Sequence, residues 1–137
     1  MKRSYNGLFS SASVHWATPV DLYKALDAEF HFNDDPCPLN ALTDGLARSW
    51  GTSTYCNPPY GKEIGIWMKK AYQEGAEGKT IVCLIPSRTD TEWWHEFVMK
   101  ASEIRFLRGR LKFGNSKNSA PFPSAIAIFK SLVDGKV

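Results

Sequence analysis

Between Pro19 and Phe30 the apolar residues Val20, Leu22, Tyr23, Leu26 and Phe30 recur at three-to-four spacing, which gathers them on one face of a helix. Thr18-Pro19 supplies an N-cap followed by a first-turn proline. Ile64, Trp67, Met68, Ala71 and Tyr72 repeat the same period and predict a second helix that closes in the segment Gly75 to Gly78. Thr91 to Met99 reads as a third, with Trp94, Phe97 and Val98 inward. Thr80 to Ile85 is instead an unbroken apolar run, the pattern of a strand covered on both faces, and Pro86 stops it. Thr52 to Cys56 is a β-prone stretch halted by Asn57-Pro58-Pro59-Tyr60-Gly61. Shorter strands are expected at His31 to Asp35, at Ile104 to Phe106 and Leu111 to Phe113 around a basic bend, and at Ser124 to Phe129. Pro38 to Trp50 reads as loop, with one helical turn around Leu46 to Ser49. Strands alternating with helices predict an α/β layer around a mainly parallel sheet, with the closely linked last strands forming an antiparallel edge.

The chain has 137 residues, 43% hydrophobic and 23% charged, which suits one compact domain over 16–137. Residues 1–15, rich in Ser and Asn, read as a flexible leader. No apolar run approaches the roughly 18 to 20 residues that cross a bilayer, and the basic start lacks the apolar core of an export signal, so a cytoplasmic protein is expected. Cys37, Cys56 and Cys83 are odd in number, far apart and without Cys-x-x-Cys or Cys/His spacing, which argues against a disulfide framework and a structural metal. His15, His31 and His95 add no metal-binding spacing. The formal charge of +3 conceals a division. Residues 1–99 carry 9 Lys and Arg against 12 Asp and Glu, whereas residues 100–137 carry 8 against 2. A basic C-terminal end of that kind suits a polyanionic partner.

The sharpest local signal is Asn57-Pro58-Pro59-Tyr60, placed after a strand and before a helix. Two consecutive prolines fix an extended backbone with no N–H to donate, so their carbonyls remain acceptors, and Asn57 adds an amide oxygen beside them. Such a cluster matches a primary amine with two hydrogens, while the Tyr60 ring can stack on a flat heterocycle. The exocyclic amine of adenine fits that description. Its lone pair is delocalised into the ring; two acceptors on its N–H groups would draw the nitrogen toward tetrahedral geometry and stabilise the positive charge that grows during methyl transfer. The same cluster could hold a glutamine amide of a protein, and a catalytically silent nucleic-acid-binding protein is a third reading.

The chain resembles the phage-type DNA N6-adenine methyltransferases from about Trp16 to Phe129. The likeness is carried by Trp16-Ala17-Thr18-Pro19, Leu26-Asp27-Ala28-Glu29-Phe30, Asp35, Ser49-Trp50 and Cys56-Asn57-Pro58-Pro59-Tyr60. It continues through Lys70-Ala71-Tyr72, Leu84-Ile85-Pro86-Ser87-Arg88-Thr89-Asp90, Gly109-Arg110-Leu111-Lys112-Phe113 and Pro121-Phe122-Pro123-Ser124. This resemblance implies a Rossmann-like fold, S-adenosylmethionine as methyl donor without a metal, and adenine in DNA as acceptor. It implies that Asn57 and the Pro58 carbonyl grip the amine beside Pro59 while Tyr60 stacks on the extruded base. By position, Trp16, Thr18, Pro19, Asp35, Pro36 and Cys37 would contribute to the cofactor site. The glycine-rich loop of larger methyltransferases is absent, and Asp35-Pro36-Cys37-Pro38 stands in its place. A role such as protection against restriction would follow from the likeness alone.

Two further groups suit DNA. Arg88, just beyond the strand that ends at Pro86, should face the same crevice as Asn57, since strand carboxyl ends line one side of an open α/β sheet. Arg105, Arg108, Arg110, Lys112 and Lys117, interleaved with Phe106 and Phe113, read as a phosphate track. Trp93-Trp94-His95 is a weaker stacking candidate, with Trp94 expected inside. So short a chain leaves little room for a separate target-reading domain, so a homodimer sharing that task is one expected arrangement.

Overall fold

The computed structural model describes residues 17–38, 44–114 and 117–131. The expected leader over 1–15 therefore lies outside the described residues. The elements are α1 (Val20–Phe30), β1 (Ser53–Cys56), α2 (Ile64–Ala76), β2 (Thr80–Pro86), α3 (Glu92–Glu96), β3 (Glu103–Phe106) and β4 (Ser124–Phe129). Single 3₁₀ turns at Gly45–Ala47 and Val98–Lys100 complete them. Among the described residues no helix is long and apolar enough to cross a membrane.

The sheet is mixed rather than mainly parallel. Its order is β1-β2-β4-β3, with β1 parallel to β2 and with β4 antiparallel to both neighbours. Taken as directions, β1, β2 and β3 point the same way. Strand β4 is inserted between β2 and β3 and opposes both, so two of the three ladders are antiparallel. Alternation along the chain predicts which way strands run more readily than where the last one slots in, and that insertion reverses the expectation. The antiparallel C-terminal part of the sheet is present, although its outer strand is β3 and its last strand in sequence is internal.

Three other expectations need correction. His31 to Asp35 forms only a single bridge, Asp34 to Thr54, because Pro36 offers no N–H to extend it. Leu111 to Phe113 is not a strand; the Leu111 carbonyl accepts from Ala120 N–H at 2.7 Å and closes a loop. The third helix ends at Glu96, where Phe97 at φ −120° breaks the turn before the 3₁₀ segment.

Side-chain alternation divides the sheet into two covered faces. On one, Tyr55 meets Tyr23 of α1 edge-on at 5.1 Å, and Arg105 reaches Glu29 and lies over Phe30. On the other, Trp94 of α3 stacks with Phe106 at 6.3 Å. Gly75 of α2 approaches Phe129 so closely that a Cβ there would lie 2.8 Å from the Phe129 Cβ. The central strands are consequently apolar throughout: Ile81 to Ile85 and Ala125 to Phe129 are all buried. Trp50 anchors the loop before β1. It is buried on Trp67, donates from Nε1 to the Gly45 carbonyl at 2.8 Å, and its backbone N–H bonds the buried carboxylate of Glu74 at 3.0 Å. Glu74 also receives Lys70 and Lys79.

Candidate active site

Topology brings the carboxyl ends of β1, β2 and β3 to one rim, and the antiparallel β4 begins there too. Asn57 follows β1, Ser87 and Arg88 follow β2, Leu107 follows β3, and Phe122-Pro123 precede β4. Ser87 N–H bonds the Pro123 carbonyl at 2.9 Å, and Leu107 N–H bonds the Ser124 carbonyl at 3.1 Å, so these ends are stitched together.

Beneath this rim a cavity of about 430 Å³ lies between α1, the end of β1 and the Asp35 loop. Thr18, Tyr23, Lys24, Asp35, Cys37, Tyr55 and Asn57 are among its lining residues. Trp16 lies outside the described residues, and Pro19 forms the N-cap of α1. Pro36 is buried behind the wall, where Gly45 comes so near its carbonyl that any side chain at 45 would collide with it. Sequence reasoning assigned Tyr23 to the core and gave Lys24 and Tyr55 no site role. Only the placement of Asp35 and Asn57 across from α1 reveals that all three face one space.

The acidic pair in the loop is divided by environment. Asp34 accepts from Arg48, Gly51 N–H and Asp35 N–H, and the Arg48 guanidinium holds its carboxyl below the usual range. Asp35 accepts from Cys37 N–H at 3.2 Å, but burial pushes its carboxyl up. Burial also pushes the Cys37 thiol up to about 12 and that of Cys56 well above its ordinary value, so neither is a thiolate near neutral pH.

Asn57 is 4% exposed. Its Nδ2 donates to Thr18 Oγ1 at 3.2 Å, and Thr18 Oγ1 also bonds the Tyr55 hydroxyl at 2.5 Å. The Thr18 side chain makes no cap on α1, contrary to expectation. Pro58 is buried and Pro59 half-buried. Tyr60 is buried, donates its hydroxyl to the Leu84 carbonyl at 3.1 Å, and meets Phe122 and Phe113 edge-on at 5.5 and 6.3 Å. The segment that bears those phenylalanines is tied to the start of α1 by Gly114 N–H to the Ala17 carbonyl at 2.9 Å.

The cationic candidates separate into two groups. Arg88 is exposed, with its guanidinium 5.8 Å over the Phe122 ring, and Arg108, Arg110, Lys112 and Lys117 are exposed on the neighbouring loop. Among the described residues none of these five lies within ion-pair distance of a carboxylate. Arg105 differs: it points to the α1 face and is bound to both Glu29, at 2.6 Å, and Glu103, at 2.7 Å. Trp94 is buried as expected, and Trp93 is half-buried in a groove between α2 and α3.

Known proteins match this chain over most of its length. Residues 8–131 match a family model described as DNA N-6-adenine-methyltransferase (Dam). A DNA N-6-adenine-methyltransferase of Escherichia phage T1 is 25% identical over 98% of this chain and 71% of its own length. One of Haemophilus phage HP1 is 27% identical over 74% of this chain and 67% of its own.

Proposed function

The chain belongs to the DNA N-6-adenine-methyltransferase (Dam) family, and from that premise we propose that it transfers a methyl group from S-adenosylmethionine to the exocyclic amine of adenine in DNA. The observation that carries this reading is the cavity, which opens onto Asn57 and combines two aromatic walls with one acid and one base. Its volume of about 430 Å³ falls within the range of small-molecule and cofactor sites, roughly 300 to 1,000 Å³. The lining fits a zwitterionic donor bearing a purine. Tyr23 offers a flat surface to the heterocycle with buried Tyr55 behind it, Asp35 faces positive charge and Lys24 a carboxylate. When bound, the cofactor supplies an electrophilic methyl group.

The protein's own work is placement and electrostatics. Asn57 Oδ1 and the Pro58 carbonyl accept the two N–H bonds of the amine, direct its lone pair toward the cavity and stabilise the charge that grows on nitrogen. No side-chain base is needed, because the methylated amine is strongly acidic and releases its surplus proton to water. Tyr60 stacks on the extruded base once the segment bearing Phe113 and Phe122 draws back from its ring. Arg88, Arg108, Arg110, Lys112 and Lys117 hold the phosphates, with Arg105 retained as a tie between sheet and α1. Incubation with methyl-labelled S-adenosylmethionine and mixed-sequence DNA, followed by digestion to nucleosides, tests the reading. Label is expected in N6-methyl-2′-deoxyadenosine alone; label in cytosine, or in no base, refutes it.

A further inference from the structure

We propose that Thr18 and Tyr55 are positioning residues that fix which way the Asn57 carboxamide faces. An asparagine side chain has two nearly isosteric arms, and rotating it by half a turn exchanges an acceptor for two donors. At a site that must receive N–H groups the wrong orientation confronts donor with donor. Sterics alone select neither one.

The geometry selects. Nδ2 of Asn57 has no lone pair, so its contact with Thr18 Oγ1 at 3.2 Å runs in one direction, from amide to hydroxyl oxygen. That fixes the nitrogen arm on Thr18 and turns the oxygen arm the other way. The hydroxyl is itself held by Tyr55, on β1 two positions before Asn57, at 2.5 Å; with the Thr18 hydrogen given to the phenol oxygen, Oγ1 has only lone pairs left to offer and takes an amide N–H, not an amide oxygen. Burial pushes the Tyr55 phenol up, so it stays neutral while it accepts that hydrogen. A second observation points the same way. Thr18 stands immediately before Pro19, the N-cap of α1, and α1 has no side-chain cap, so the Thr18 hydroxyl serves no backbone N–H of the helix. The hydroxyl is committed to the Tyr55–Asn57 relay instead. The relay joins α1 to β1, so the start of the helix and the catalytic asparagine are set by one bond chain.

The inference deepens the proposed activity and rests on it for its kinetic consequence, but the orientation has a readout of its own. In the full-length protein, Thr18→Val removes the hydroxyl at nearly constant shape, and Thr18→Ser restores it. Nitrogen-edited NMR of the Asn57 side-chain amide is expected to show its protons shifted in Thr18→Val and returned toward wild type in Thr18→Ser. Unmoved resonances in Thr18→Val overturn the relay whatever the activity is. With the wild type active, single-turnover methyl transfer at saturating cofactor and DNA is expected to fall about 10- to 100-fold in Thr18→Val and to recover in Thr18→Ser. Thr18→Val added to Asn57→Ala should cost no more than Asn57→Ala alone. If Thr18→Val weakens calorimetric S-adenosylmethionine binding but leaves the saturated rate intact, Thr18 serves the cofactor and the positioning role is refuted. Wild type that transfers no methyl to DNA refutes the proposed activity and leaves the NMR arm to decide the relay.

Discussion

Replacing Asn57 by alanine removes one of two acceptors that the proposed mechanism assigns to the amine, and the structure allows the two costs to be separated. The Nδ2 bond to Thr18 that the fold loses is worth about 1 kcal/mol, and Thr18 retains Tyr55. The transition state loses a partner for developing positive charge. By the electrostatics of an oxyanion hole with the sign reversed, one such contact in a water-poor site is worth about 2.7 to 4 kcal/mol, or roughly 10²- to 10³-fold in turnover. Asn57→Ala should therefore remain folded, bind S-adenosylmethionine close to normally, and methylate at least about 100-fold more slowly in a single-turnover assay. Asn57→Asp makes a sharper comparison. An acceptor oxygen still faces the amine, but the other oxygen draws the Thr18 hydrogen away from Tyr55, so the Thr18–Tyr55 bond must reverse. That variant should fall between wild type and alanine. Turnover unchanged in Asn57→Ala, with thermal denaturation reporting an intact fold, removes this residue from the mechanism; Asn57→Asp below Asn57→Ala removes the acceptor argument.

Three other outcomes follow from separate parts of the molecule. Gly75→Ala places a Cβ 2.8 Å from that of Phe129 and 3.1 Å from the Phe129 carbonyl carbon and oxygen, so α2 must lift from β4 at about 1 to 3 kcal/mol, read by urea denaturation. Paired Arg108→Glu and Arg110→Glu should weaken DNA binding and flatten its log–log salt dependence by roughly 1 to 2 units, whereas Arg105→Gln, already occupied by Glu29 and Glu103, should leave that slope unchanged. Acidification should loosen S-adenosylmethionine binding at a pH above 3.8, the ordinary Asp value, because burial raises the Asp35 carboxyl and its protonation removes the anion facing the cofactor; calorimetry on Asp35→Asn should show that limb flattened. Asp34 has the opposite sign. Lowered by Arg48, it contributes stability above its unfolded value that is lost only as pH falls through the lower folded one, so affinity should decline before this loop loosens.

Elements with a strong period were legible from sequence because the physics that forms them is local. Helix α1, helix α2 and strand β2 stand within one or two residues of expectation, bounded by Pro19, by Gly78 just after Ala76, and by Pro86. Asn57 to Tyr60 was legible for a different reason: consecutive prolines dictate donor-free backbone wherever they occur. What escaped were features set by distant partners. Leu111 to Phe113 has strand composition, but the Leu111 carbonyl is taken by Ala120 N–H in a loop closure rather than by the open edge of β3. Arg105 belonged to a basic run in sequence, yet its place on β3 directs it to the α1 face, where two glutamates claim it. Tyr55 looked like any strand aromatic, and nothing local announces that its hydroxyl meets Thr18 across 37 residues.

The inserted strand that overturned the parallel expectation also explains how the basic loop comes to lie beside the Asn57 turn. Strand β3 ends at the rim that carries Asn57, and residues 107–114 and 117–123 stay there before the chain descends as β4. Had β4 run parallel to β2, the chain would first have crossed to the opposite rim, and the segment before the strand would begin there. For a strand of 6 residues that is a displacement of roughly 20 Å, beyond the reach of any side chain. Phe122 would then miss Tyr60, and Arg88 would have no Phe122 to lie on. Antiparallel insertion thus keeps the basic loop, its two phenylalanines and the Asn57 turn on one side of the sheet, and the bond from Gly114 to Ala17 closes that loop against the cavity wall.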